Sequence, residues 1–348
     1  MAGIPNTQTT ADVVKSLDQE LITNFQGEYD RLREFLGLYD ISTVAAGTAL
    51  YQYSVSGALN EGEFALTEDE ALVSGKTYYT RSGSAGAYEY AKVAEPDVTD
   101  IDSYYELVGA SGIHYVEGDF IARSKYSVTR TLIGEVEFRP YAKQTTAQAI
   151  LKSGFERSVL RTDRKSAQQL RSAIISEFFR FLANGTGLAC PADAGDTWNL
   201  QQTLAYTHGR LGDVLETADE EAEEGVVTFV NRMDAAGYLG DGTITTQDAF
   251  GLTYLSSFLG TPNVVLTNRV APHSVFATPV DNIHVYGLDF GSLGDAGLVY
   301  ATNDYGLIGV HHEPDYNYGS VETFLVRGAK FVPEVTDFIV RGSMEYVA

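Results

Sequence analysis

The sequence predicts an α+β fold built around one long helix, and three observations lead there. From Thr145 to Gly185 the chain reads as a shorter helix followed by a long one. From Thr48, and again after Val116, β-branched and aromatic residues recur in strand-like runs. Between Leu188 and Tyr305 short apolar runs alternate with helical stretches, the pattern of an α/β layer.

The long helix is defined by its apolar stripe. Leu170, Ile174, Phe178, Phe181 and Leu182 recur at spacings of three and four, and Ile175 and Phe179 widen the stripe. Asp163 is expected as the N-cap, its carboxylate accepting from N–H groups of the first turn, and Gly185 after Asn184 as the stop. From Asp163 to Ala183 such a helix spans about 31 Å, near the diameter of a small domain, so it is expected to be the backbone of its domain. It is also basic: Lys152, Arg157, Arg161, Arg164, Lys165, Arg171 and Arg180 stand against Glu156, Asp163 and Glu177. The whole chain carries 24 basic and 47 acidic side chains, a formal charge of −23. Two readings stay open. The helix presents a solvated face paired with acidic neighbours, or a docking surface for an acidic patch on another subunit or for nucleic acid.

Composition sets further bounds. At 348 residues the chain holds one large domain or two to three smaller ones. Its 44% hydrophobic content is that of a folded protein. A single cysteine, Cys190, excludes an internal disulfide and leaves no thiolate cluster for zinc. The start, MAGIPNTQTT, does not resemble a signal peptide, and no apolar run approaches a membrane span, so a cytoplasm is the default compartment. The strong negative charge argues against an autonomous DNA binder.

In chain order, residues 1–5 read as a loose arm. A helix from Thr10 or Asp12 to Gly37 follows, with Val14, Leu17, Leu21, Phe25, Leu32 and Phe35 on one side. Gly27 interrupts it at about 1 kcal/mol relative to Ala. Its stripe needs cover from its own core or from a neighbouring subunit. The strand ALYQYSVSG leads into NEGEF, and VEGDFIARSKYSVTRTLIGEVEFRP returns. Two near-copies, Glu61-Gly62-Glu63-Phe64 and Glu117-Gly118-Asp119-Phe120, bracket residues 65–116, a segment rich in Gly, Ser and Tyr pairs. This is read as a small β module at the tip of a two-stranded excursion, with a low-complexity linker as the alternative. Tyr78, Tyr79, Tyr88, Tyr90, Tyr104 and Tyr105 give a module apolar surface to bury.

After Gly185 a helix is expected from Asp196 or Thr197 to Leu215, then a solvated acidic run from Asp219 to Glu224. VVTFVN reads as a buried strand, RMDAAGYLG as a short helix, and TTQDAFGLTYLSSFLG as a helix with Phe250, Tyr254 and Phe258 aligned. NVVLTN is a second buried strand, with shorter ones near Val275 and Val285. The strand-rich remainder repeats Phe324-x-Val326-Arg327-Gly328 as Phe338-x-Val340-Arg341-Gly342, read as two adjacent strands with similar bends.

Little of this points to chemistry. There is no phosphate-binding glycine loop, no dinucleotide fingerprint and no nucleophile elbow. His311, His312, Glu313 and Asp315 are the best metal candidates, but adjacent histidines on a strand face opposite sides, and a turn before Pro314 is the reading adopted. GDGTITTQD lacks the spaced ligands and closing Glu of a calcium loop and is read as a turn and helix cap around Asp241 and Thr246. His208 and His273 are lone histidines without an evident partner. No catalytic residue, cofactor or metal site is expected, and the chain is not read as an enzyme.

The order of these parts resembles the major capsid proteins of tailed bacteriophages with the HK97-type fold. LYQYSVSGALNEGEF and GDFIARSKYSV carry the likeness for the two limbs of the extended E-loop. TTAQAILKSGFERSVLRTDRKSAQQLRSAIISEFFRFLANGTG carries it for the spine of the peripheral P-domain, and VTFVNRMDAAGYL for the axial A-domain. The resemblance implies an N-terminal arm and helix over residues 1–47, E-loop limbs at 48–64 and 117–130, and an inserted module at 65–116. It places the P-domain at 131–187 and 306–348 and the A-domain at 188–305.

It also implies a geometric function. Pentamers and hexamers would close into an icosahedral head around double-stranded DNA, assembled in the bacterial host cytoplasm and without a membrane. Glu61, Glu63, Glu117 and Asp119 on the E-loop would meet cations of a neighbouring subunit, with Arg157, Arg161, Arg164 and Lys165 as the candidates. Packaged DNA would touch the acidic wall weakly and non-specifically. Portal and scaffolding proteins are implied partners and a decoration protein is a further one; no scaffolding-length helix is expected ahead of Thr10, which implies a separate scaffold protein or none. Competing readings are an encapsulin-like compartment, another virion component, and an α/β enzyme with a β accessory domain.

Overall fold

The computed structural model describes residues 10–38, 41–56, 62–66, 72, 78–84, 87–108, 127–154, 156–218, 220–223, 225–240, 246–294 and 297–347, with the backbone alone over 10–17, 55–56, 62–65, 87–88, 98, 106–108, 127–128, 156 and 160. The chain divides into two units, Met1–Ser54 with Arg130–Ala348, and Val55–Thr129.

The first unit begins with α1 (Thr10–Leu36), whose buried face is Leu21, Ile22, Phe25, Tyr29, Leu32 and Leu36. Gly37 ends it at φ 72°, a left-handed conformation that glycine adopts without a Cβ penalty. The strands β1 (Ile41–Val44) and β2 (Ala49–Ser56) follow.

The second unit is a four-stranded sheet of β3 (Gly62–Ala65), β4 (Tyr79–Ser84), β5 (Ala87–Lys92) and β6 (Tyr104–Val108), in the antiparallel order β3-β6-β4-β5. Leu66, Tyr78, Ile101 and Tyr104 form its core, with a 3-10 turn at Val98–Ser103 capped by the Asp97 carboxylate. Residues 62–64, assigned to an E-loop limb from the EGEF near-copy, pair with β6 in this sheet instead. Glu61 and residues 109–126, which include Glu117 and Asp119, lie outside the described residues.

The first unit resumes with β7 (Ser127–Glu135), which pairs with β2, and β8 (Pro140–Thr146). Then come α2 (Ala147–Ser153), a π turn at Glu156–Leu160 and α3 (Arg161–Leu182), about 33 Å long at 1.5 Å per residue. β9 (Gly187–Ala189), α4 (Leu200–Thr217), β10 (Val226–Asn231) and α5 (Arg232–Gly240) follow. Asn199 and Gln202 make a reciprocal capping box at the start of α4, so this helix begins a few residues later than the sequence suggests.

The segment expected as a helix around Phe250 and Phe258 is instead strand: β11 (Gln247–Ala249) and β12 (Leu252–Phe258), followed by β13 (Thr261–Thr267). Ala249 pairs with Leu252 and Phe258 with Thr261, so both connections are two-residue loops. Phe250-Gly251 and Leu259-Gly260 have φ of 51° and 80°, and 51° and 86°, the two positive values that a type I′ hairpin turn requires. The four-residue aromatic spacing imitated a helix, while two glycines nine residues apart marked the turns. For the same reason Thr246 leads into a strand and caps no helix, while residues 241–245 lie outside the described residues.

The remaining elements are β14 (Ser274–Pro279), β15 (Ile283–Leu288), α6 (Gly291–Gly294), β16 (Ile308–Asp315), β17 (Ser320–Arg327), β18 (Lys330–Pro333) and β19 (Val340–Ser343). They complete a seven-stranded mixed sheet, β11-β12-β13-β10-β14-β19-β9, and two three-stranded sheets, β16-β17-β8 and β1-β15-β18. The sheets do not follow the expected division into spine region and middle region at two strands. β19 joins the large sheet although its residues were grouped with the spine, and β15 leaves the middle region to pair with β1 and β18. The two Arg-Gly repeats are not neighbours either, since β17 and β19 lie in different sheets. What they share is a glycine against which something packs: a Cβ on Gly328 would stand 1.8 Å from the Gly306 carbonyl oxygen, and one on Gly342 2.0 Å from the Thr207 hydroxyl.

The main core lies between α1, α3 and these sheets. Its centre is a run of edge-to-face rings, Phe178 on Phe229 at 5.5 Å, Phe250 on Phe331 at 5.8 Å and Phe25 on Phe250 at 5.1 Å. The stripe of α1 from Leu21 onward is thus covered by its own chain. All seven apolar residues picked out on α3 are buried, Phe181 in a satellite cluster with Leu50, Val326 and Val332.

Candidate interaction surface

The start of the spine is shaped by local sequence. Thr146 caps α2, accepting from the Ala149 N–H at 3.4 Å, and Gly154 at φ 80° ends it. The chain then re-enters helix through the π turn, which carries it straight into α3. The helix therefore starts before Asp163, which is not its N-cap. Asp163 is 1% exposed and its carboxylate is taken by side chains: Lys143 at 2.5 Å and the His312 Nε2 at 3.1 Å.

On the opposite face Arg157, Arg161 and Lys165, spaced four apart, are exposed. Beside them the hydroxyls of Ser158, Thr162 and Ser166 each donate to a carbonyl four residues back, so this face offers charge more than free hydroxyls. Among the described residues no carboxylate pairs with Arg157, Arg161, Lys165 or the nearby exposed Lys152. The other cations of the helix are paired within the chain. Arg164 meets Glu20 and Arg171 meets Glu28, both on α1, and Arg180 lies 3.4 Å from Glu177. The reading of a face paired with acidic neighbours thus holds for Arg164, Arg171 and Arg180. Arg164 has an intrachain partner, and three of the four candidate contacts stand free among the described residues. Of the acidic candidates, Glu63 has its backbone described in β3.

Two buried ionic clusters flank α3. In one, the Glu177 carboxylate lies 2.7 Å from Arg327 Nη1, as an ion contact without hydrogen-bond alignment, and 3.4 Å from Lys330 Nζ. Lys330 also donates to the Glu135 carbonyl at 2.7 Å, and burial holds its ammonium below the usual lysine value although Glu177 works the other way. In the other, His312 donates one ring N–H to Asp18 of α1 and the other to Asp163 of α3. Burial alone opposes the imidazolium. The hydrogen bonds to Asp163 and Asp18 outweigh it and raise the group to about 9.

The histidine-rich stretch is therefore strand, not a turn before Pro314, because β16 continues through Asp315. His312 faces the carboxylates, while His311 on the opposite side lies among the rings of Tyr300 and Phe324. Asp315 caps the following turn through the Asn317 N–H at 2.8 Å. The four candidates do not converge, and an imidazole donating from both nitrogens has no lone pair for a metal. Among the described residues no group of three His, Cys, Asp or Glu is placed to hold one. His208 and His273 do have partners: the Thr228 hydroxyl at 2.7 Å from the His208 ring, and Asp234 accepting from the His273 backbone N–H at 2.7 Å. No described helix is long and apolar enough to cross a membrane.

No family model matches the sequence, and no curated protein matches it. Among solved structures the chain is similar to one of the cyanophage A-1(L) capsid, 11% identical over 88% of this chain and 90% of that one, with a TM-score of 0.45. It is also similar to the capsid of a native GTA particle, 14% identical over 68% and 82% with a TM-score of 0.43. The encapsulin of the SrpI complex from Synechococcus elongatus is 10% identical over 64% and 78%, with a TM-score of 0.41.

Proposed function

We propose that this chain is a structural protein that assembles with copies of itself into the closed shell of a phage head, in the manner of HK97-type major capsid proteins. One observation carries the reading: a row of exposed cations with no carboxylate partner among the described residues, on the spine of a chain whose formal charge is −23. Like charges four apart on a helix repel by about 0.2–0.5 kcal/mol a pair, so an isolated subunit gains nothing from the row. An acidic surface of a second copy turns that repulsion into attraction.

The acidic partners in this reading are Glu61, Glu63, Glu117 and Asp119, and the cations are Arg157, Arg161 and Lys165, with Arg164 shared with Glu20. Each exposed pair contributes only about 0–1 kcal/mol, but repetition around pentamers and hexamers sets register and assembly rate. The role is that of a wall, not an enzyme. Portal, scaffolding and decoration proteins, and weakly held DNA, are the partners of such a wall, and the bacterial cytoplasm is where it is built.

Negative-stain microscopy and sedimentation of the protein expressed alone and with scaffold test this. Closed shells or capsomer rings are expected, and a persistent monomer overturns the reading. Reversing the row (Arg157→Glu, Arg161→Glu, Lys165→Glu) should stop assembly of a folded chain, and reversing Glu61 and Glu63 to Lys should restore part of it.

A further inference from the structure

Ahead of the apolar stripe of α1 lies a contact of another kind. In the sheet β16-β17-β8, His312 pairs with Thr323 and Thr323 with Lys143, so the three side chains form one row on one face. Asp163 of α3 and Asp18 of α1 cover that row, and the side chains of His312 and Asp163 are each 2% exposed. We propose that His312 is a latch that holds the amino-terminal turns of α1 to the spine helix at neutral pH and releases them at alkaline pH.

The described groups facing the imidazole are Asp18 from α1, Asp163 from α3, Lys143 from β8 and the Thr323 hydroxyl from β17. With the ring protonated, two cations and two carboxylates balance, and each ring N–H has an acceptor. Loss of the proton leaves one net negative charge in a buried cluster and turns a nitrogen lone pair toward a carboxylate. The two carboxylates are not held equally. Asp163 keeps Lys143, whereas His312 is the one hydrogen-bond partner described for Asp18. Asp18 is therefore the side that lets go, while Leu21 to Leu36 stay anchored in the core.

The sign follows from the direction of the shift. The folded imidazole titrates near 9 against about 6.5 when unfolded, so the latch is complete below about 6.5 and is lost as pH rises through about 9. Hydrogen exchange on the full chain from pH 6 to 10, corrected for the intrinsic pH dependence of exchange, reads this directly. Protection of the amides of residues 14–20 should fall roughly 10-fold across that range, the part of the shift that Asp18 supplies while Asp163 stays on the ring, and that of residues 29–36 should not. His312→Gln should give low, pH-independent protection at residues 14–20. Asp18→Asn should retain protection at pH 10, because its amide donates to the neutral ring. Parallel behaviour of the two segments in the unaltered chain overturns the proposal, as does an unchanged pH profile in His312→Gln. If that variant does not fold, Asp18→Asn decides: loss of protection at pH 10 as in the unaltered chain refutes the latch.

Discussion

Replacing Glu177 with Gln removes the one carboxylate that, among the described residues, lies within ion-pair distance of the buried cations Arg327 and Lys330. The side chains of Arg327 and Lys330 are 10% and 6% exposed, so neither recovers its hydration when Glu177 is neutralised. Breaking a buried pair of this kind costs about 3–5 kcal/mol. The lower end applies, because burial already favours the neutral amine of Lys330 and a proton released from it limits the cost. The expected loss at pH 7 is about 3 kcal/mol, or about 6 °C at roughly 2 °C per kcal/mol for a large chain. Urea unfolding of the unassembled protein, at fixed concentration and followed by circular dichroism, measures it. Adding Lys330→Met removes one stranded cation and should return about half of the loss, giving a clear interaction energy between the two sites. A single-variant loss below about 1 kcal/mol, or strict additivity of the two changes, would refute the argument that Glu177 holds both strands to α3.

Other outcomes follow from individual positions. Gly342→Ala should cost several kcal/mol, on the order of 3 or more, since the new methyl meets Thr207 and Val275 in the packed sheet; thermal unfolding reads it. Gly251→Ala should destabilise by about 1 kcal/mol or more, because its φ of 80° serves the hairpin turn, whereas Gly27→Ala, with open space around it, should stabilise α1. Tyr29→Phe should be neutral or stabilising by about 1 kcal/mol, because the buried Tyr29 hydroxyl has no hydrogen-bond partner among the described residues. A marked loss on denaturant unfolding would show that this hydroxyl is satisfied in solution.

The long amphipathic elements were legible because their signal is local. Leu170 to Leu182 on α3 declare a buried face through spacing alone, and tertiary packing agrees with it. The hairpins at residues 247–267 were not, because a four-residue aromatic spacing satisfies a helical template while positive φ at Phe250 and Leu259 has no signature in those residue types. The spine cations were found from composition, yet which of them stay unpaired depends on Glu20 and Glu28 across a helix–helix contact. The His312 cluster lay beyond reach for a related reason. Its members are 294 and 149 residues apart along the chain, and no period or motif links Asp18 to Asp163.

β19 lies between β14 and β9 in the large sheet, paired in parallel with a strand some 150 residues upstream. The order of synthesis therefore matters. Until residue 343 has left the ribosome, β14 and β9 both present unpaired backbone edges, which are templates for wrong pairing. A chain cut short before β19 keeps its spine helix but leaves β14 and β9 without the strand that lies between them. Pairing of β19 is thus a late step of folding: only once residues 340–343 are made can β14 and β9 be joined through the strand between them.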